Sequence, residues 1–98
     1  MSAYLVIRAE ITDREGFRAY VVAVSKLVTE MGGSYIIQGG GASECLEGNW
    51  PDTQKLVISQ WSSMAAARAF WQCPAYQEIK QLRAGKAHVH VRLYEGSA

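Results

Sequence analysis

The chain has 98 residues, 49% of them hydrophobic and 19% charged, with a formal net charge of +1. That balance is too apolar and too nearly neutral for a disordered chain, and no window approaches the ~18 apolar residues of a membrane span. Ten basic and nine acidic residues are mixed along the sequence without a Lys/Arg run, so neither a nucleic-acid nor a membrane partner is expected.

The length fits a single domain over residues 1–98. Its folded surface should be roughly 5,500 Å², with one core too shallow for a sizeable cavity within one chain. Met1-Ser2-Ala3-Tyr4 lacks a basic segment followed by an apolar run, which points to a cytoplasmic protein. Cys45 and Cys73 have no CxxC spacing and read as reduced thiols.

The first element is a strand over Ala3–Ile11, with Leu5, Ile7, Ala9 and Ile11 on one face and Tyr4, Val6, Arg8 and Glu10 on the other. Thr12-Asp13-Arg14-Glu15 fits a capping box opened by Thr12, with Asp13 as a competing cap. A helix follows, on which Phe17, Tyr20, Val21, Val24, Leu27, Val28 and Met31 form an apolar stripe, and Gly32-Gly33 ends it. Ser34–Gln38 reads as a second strand, broken by Gly39-Gly40-Gly41 and continuing over Ser43–Leu46. Glu47–Asp52 is a turn-rich loop, and Lys55–Trp61 is the third strand. Ser62 or Ser63 caps a short helix carrying Met64, Ala67, Phe70 and Trp71 inward. Pro74 opens a further helix with Tyr76, Ile79 and Leu82 as its stripe, and Gly85 stops it. The last strand, Ala87–Tyr94, alternates Val89, Val91 and Leu93 with His88, His90, Arg92 and Tyr94.

Strand, helix, strand, strand, helix, strand is the order of an α+β, ferredoxin-like βαββαβ fold with an antiparallel sheet. The helices must cover one face. The opposite face is expected to carry Tyr4, Val6, Arg8, Val57, Trp61 and Tyr94, and it is too apolar to stand in water. A second copy would cover it, giving a homodimer.

Several residues carry a family resemblance together: Ala3-Tyr4-Leu5-Val6, Gly32-Gly33, Gly39-Gly40, Leu46-Glu47-Gly48-Asn49-Trp50, Phe70 with Cys73-Pro74-Ala75-Tyr76, Arg83, and Glu95-Gly96. The set resembles a bacterial family of unknown function, DUF1330, within the dimeric α+β barrel superfamily, from Ala3 to Gly96. The resemblance implies a protomer whose sheet packs on a partner's sheet. It implies no particular reaction, since the wider superfamily includes cofactor-free monooxygenases, haem-degrading enzymes, muconolactone isomerases, polyketide cyclases and binding proteins. The chain departs from the family's pattern at Gln38 and Lys55, where the family has Arg, at Cys73, where it has Ser, and at Trp61, where it has Phe. The pair His88 and His90 is not part of that pattern.

His88 and His90 lie two apart on a strand, so both rings point to one face, continued by Arg92 and Tyr94. The last strand of this fold lies beside the first, which adds Arg8 and Glu10. Imidazoles both take and give protons near neutral pH, so His88 and His90 are the candidate catalytic pair. The same residues also suit polar contacts between subunits. No third ligand stands at a fixed spacing, so no metal is expected. Cys73, ahead of Pro74, reads either as a helix cap or as a thiol activated by the helix dipole. Trp50 reads as a pocket cover or a partner contact, while Tyr76 and Arg83 lie two helical turns apart on one face. Gly39-Gly40-Gly41 lacks the Lys-Ser/Thr of a phosphate loop, and the third strand lacks the aromatic pattern of an RNA-binding sheet.

The sequence thus favours a small enzyme without a bound cofactor, acting on an aromatic or carboxylated molecule by isomerisation, cyclisation or oxygenation. Arg8, Arg92 and Arg83 would hold an anion, and Trp50, Trp61 and Tyr76 would form walls. The alternative is a dimer that binds a metabolite or a partner protein without chemistry.

Overall fold

A computed structural model describes residues 1–97. The chain folds as β1 (Ala3–Ile11), α1 (Arg14–Glu30), β2 (Ser34–Ile37), β3 (Gln54–Trp61), α2 (Met64–Gln72), α3 (Pro74–Lys80), a 3-10 turn over Gln81–Arg83, and β4 (Ala87–Glu95). The four strands form one antiparallel sheet in the order β2-β3-β1-β4, the ferredoxin-like arrangement.

Each element is set by local chemistry. Asp13, not Thr12, caps α1, and its carboxylate accepts from the Gly16 amide at 2.9 Å. The expected capping box is therefore replaced by the competing cap one residue later. Gly32, at φ +89°, takes the left-handed conformation that closes α1. Ser63 caps α2. The Cys73 sulfur accepts from the Tyr76 amide at 3.4 Å, which caps α3 ahead of Pro74. Ser43–Leu46 does not extend β2; residues 38–53 form a long irregular connection, exposed but for Gly39.

The helices cover the face that carries Ala3, Leu5 and Ala9, and the buried core joins Ala3 and Leu5 to Val24, Val28, Ala67, Phe70 and Tyr76. Trp61 belongs to this core. It is 1% exposed, its ring centroid lies 4.8 Å from that of Phe70, and its Nε1 donates to the Ser59 hydroxyl at 2.9 Å. The expectation that Val57 and Trp61 stand on the open face is thus corrected. Trp61 pairs with Ala3 and Val57 with Ile7, so both follow the covered face of β1. Residues on β3 are placed by register, and the open face receives Leu56, Ile58 and Gln60 instead. Gly33 makes room for this tryptophan, since a Cβ there would stand 2.7 Å from its ring.

The two helical layers sit differently. α2 packs on β1, β3 and β4, whereas α1 packs chiefly against α3 and the 3-10 turn. A gap remains between α1 and the sheet, and it positions the site.

Candidate functional site

The gap is a pocket of about 670 Å³ between the covered face of the sheet and α1. The sheet contributes Leu5, Ile7, Ala9, Val57 and Val89, and α1 contributes Phe17, Tyr20, Val24 and Val28. Phe70, Trp71 and Tyr76 add aromatic wall from α2 and α3. The rim is exposed and polar, with Arg14, Gln38, Asp52, Thr53 and Lys55. One chain therefore does hold a sizeable cavity, contrary to the expectation from its length. The space lies between the sheet and α1, whose backbone runs closer to α3 and the 3-10 turn than to the strands. A space of this size with apolar walls and few polar groups is what a small organic ligand requires.

Away from the rim, the polar side chains of the pocket are hydroxyls. Tyr20 and Tyr76 meet with their oxygens 3.0 Å apart, on side chains brought together from α1 and α3. Burial pushes the Tyr20 hydroxyl well above the usual tyrosine range, and Tyr76 adds to the shift while the neighbouring Arg83 guanidinium opposes it. Burial raises Tyr35, on the β2 side, in the same direction. Arg83 lies over the Tyr20 ring, 5.4 Å from its centroid. Its Nε is buried and, among the described residues, has no hydrogen-bond partner.

The residues singled out from the sequence fall into separate groups. Tyr76 lines the pocket at 2% exposure, and Arg83 stands behind Tyr20. Trp61 is packed in the core next to the pocket rather than on its wall. Trp50 lies on the irregular connection, where its Nε1 donates to the Gln54 carbonyl at 3.4 Å and its ring borders a second, exposed cavity of about 580 Å³. His88, His90, Arg92 and Arg8 are exposed on the open face of the sheet, outside both cavities. There the register sets Arg8 opposite His90 and Glu10 opposite His88, as the strand order implies. Cys73 is engaged as a cap and lies 3.8 Å from the Met31 sulfur. Among the described residues, no three His, Cys, Asp or Glu side chains are grouped to hold a metal ion. Sequence reasoning placed Tyr20, Val24 and Val28 in a core stripe and missed the pocket they line. The available signal was a tyrosine hydroxyl in each of three apolar stretches, at Tyr20, Tyr35 and Tyr76, which a dry core does not favour.

The model of the domain of unknown function DUF1330 matches residues 2–97. The chain belongs to the DUF1330 family. Among solved structures, a protein of unknown function from Rhodopseudomonas palustris superposes with a TM-score of 0.77 at 17% identity, over 99% of this chain and 83% of that one. SnoaB, a cofactor-independent oxygenase from Streptomyces nogalater, superposes at 0.70 and 10% identity, over 99% of this chain and 94% of its own. A de novo designed protein, Foldit4, matches at 0.64 and 13% identity over 99% of this chain and 100% of its own. These likenesses bear out the ferredoxin-like α+β fold of this DUF1330 protein. At such identities they carry the fold alone, and a designed protein among them underlines that fold and activity are separate matters. No curated protein matches the chain in sequence. No described helix is long and apolar enough to cross a membrane.

Proposed function

We propose that this DUF1330 protein is a homodimeric enzyme that takes a small aromatic or carboxylated molecule into the pocket between its sheet and α1. The chemistry is proton transfer without a resident cofactor, of the isomerase, cyclase or monooxygenase kind. The observation that carries this reading is the pocket itself: about 670 Å³, walled by Phe17, Phe70, Trp71 and aliphatic side chains, with Tyr20 and Tyr76 of its lining joined through their hydroxyls. Aromatic walls favour a flat apolar body, and a buried hydroxyl pair supplies the means to hold or move a proton. The fold shared with a cofactor-independent oxygenase supports the reaction class by analogy.

Two copies enter for a separate reason. The open sheet face carries Val6, Leu56 and Ile58, each half-buried, beside the exposed Tyr94. A partner's sheet would cover them. His88 and His90 then lie at that interface with Arg8, Arg92 and Glu10, where they form inter-subunit contacts or a second polar site.

Trp71 on the pocket wall provides the test. In a Trp50→Phe background, 2-naphthol and 2-naphthoate should quench tryptophan fluorescence saturably. Val57→Phe, which narrows the pocket, should weaken that binding at least about tenfold while the circular dichroism spectrum is kept. Absence of saturable quenching by either compound in the folded protein overturns the pocket reading. Binding without proton exchange or turnover, followed by NMR in deuterated water, selects the non-catalytic alternative.

A further inference from the structure

The polar end of the pocket is unbalanced. Two hydroxyls, each able to donate, meet at 3.0 Å, and only one can donate to the other, so the accepting oxygen keeps a proton of its own to offer. Behind them stands a fixed cation, Arg83, over the Tyr20 ring, with its buried Nε unpartnered among the described residues. The groups acting on the Tyr20 hydroxyl are Tyr76 and Arg83, one neutral and one positive. Tyr35, the third phenol, reaches the pocket from β2, and Tyr76 acts on it. A largely buried group of donors with a cation behind it lacks an acceptor that carries negative charge.

The geometry narrows which anion fits. A carboxylate offers two oxygens and is best met by the edge of a guanidinium in a two-pronged pairing. Arg83 does not present itself to the cavity that way: it lies over a tyrosine ring and is not part of the pocket wall. Two tyrosines of the cavity lining, Tyr20 and Tyr76, bring their hydroxyls to 3.0 Å from each other, close enough to converge on one oxygen. An ionised phenol or enol has a single charged oxygen on a flat, apolar body, and the rest of the pocket is apolar and aromatic.

We infer that Tyr20 and Tyr76, backed by Arg83, form an oxyanion site that binds the ionised oxygen of a phenolic or enolic substrate. This inference rests on the pocket being the substrate site. Tyr76 and Tyr20 touch the substrate oxygen, and Arg83 is a positioning residue that acts through Tyr20. In the binding step the substrate O–H bond breaks, the proton passes to water, and the electron pair stays on the oxygen and spreads into the conjugated system. No oxidant or reductant is consumed.

The test uses 4-nitrophenol, whose colour reports its ionisation, and 4-nitroanisole, its neutral ether. With the intact protein, the apparent pKa of bound 4-nitrophenol should fall by about one unit, equivalent to about tenfold tighter binding of the anion than of the neutral form. Arg83→Gln should abolish the drop, Arg83→Lys should restore part of it, and Tyr20→Phe and Tyr76→Phe should each reduce it. A purely structural arginine would not move the pKa of a bound phenol, nor would lysine rescue it. An unchanged or raised pKa in the wild-type protein, with 4-nitroanisole still bound, overturns the oxyanion site and leaves the pocket reading standing. If neither compound binds, both readings fall.

Discussion

Single side chains in this protein are constrained by what they touch rather than by where they stand in the sequence. Tyr20 is the clearest case. Its folded pKa is raised by burial, so up to the usual tyrosine range, about 10, folded and unfolded chains both keep the proton and its contribution is intact. Above that range the unfolded chain releases the proton and the fold does not, so stability falls as pH rises. Tyr35 acts in the same direction. The urea midpoint should therefore be level to about pH 9 and fall beyond pH 10, with a shallower fall in Tyr20→Phe; an identical fall in that variant sinks the assignment. Gly33 is constrained by Trp61, because its missing Cβ leaves the room the indole occupies. Gly33→Ala should cost about 1–3 kcal/mol by overpacking. The cost should shrink in a Trp61→Phe background, where the smaller ring yields, and a double-mutant cycle in urea reads the coupling directly.

The elements were largely legible before their arrangement was known, because capping residues and apolar spacing are local signals. The strand β1, the extent of α1 to within a residue, and the break at Cys73-Pro74 all follow from such signals. The faces of β3 did not. Lys55-Leu56-Val57-Ile58-Ser59-Gln60-Trp61 carries apolar and polar residues on both sides, so alternation cannot choose between them. The deciding contacts are long-range: β1 sets Leu5 opposite Ser59 and Ala3 opposite Trp61, and Ser59, 2% exposed, accepts from the Trp61 indole, so a polar residue marks the buried face. The pocket was hidden for a related reason. A helix stripe looks the same whether it meets the sheet closely or leaves a space, and the backbone of α1 runs closer to α3 and the 3-10 turn than to the strands. That places weight on the junction at Cys73, which ends α2 and caps α3. Cys73→Ala should lower stability by about 1 kcal/mol through loss of the cap, while Cys73→Ser should hold near the wild-type midpoint. Equal losses in thermal unfolding of both variants would mean that the sulfur's contact with Met31, rather than the cap, carries the effect.

The whole molecule is a slab, 33 × 32 × 18 Å, with helices on one side of the sheet only. Its surface of 6719 Å² exceeds by about 1,200 Å² the roughly 5,500 Å² expected of a chain this size. On the open sheet face, Val6, Leu56 and Ile58 stand among Arg8, His88, His90 and Arg92, with Glu10 as the one carboxylate of that face in β1 and β4. An apolar centre with a charged flank is the anatomy of an interface between folded partners. Pairing two such faces would leave each pocket intact, because the pockets lie on the other side of the sheet. Assembly and ligand binding should then be separable. Ile58→Lys places an ammonium at the centre of the open face and should convert a dimer in analytical ultracentrifugation to a monomer. The same variant should still bind 2-naphthol, since Val57 and Ser59, its neighbours along the strand, face the pocket and Ile58 does not. A wild-type protein that sediments as a monomer at micromolar concentration would refute the paired sheets. Loss of naphthol binding in a folded Ile58→Lys monomer would show instead that the partner shapes the pocket through the sheet.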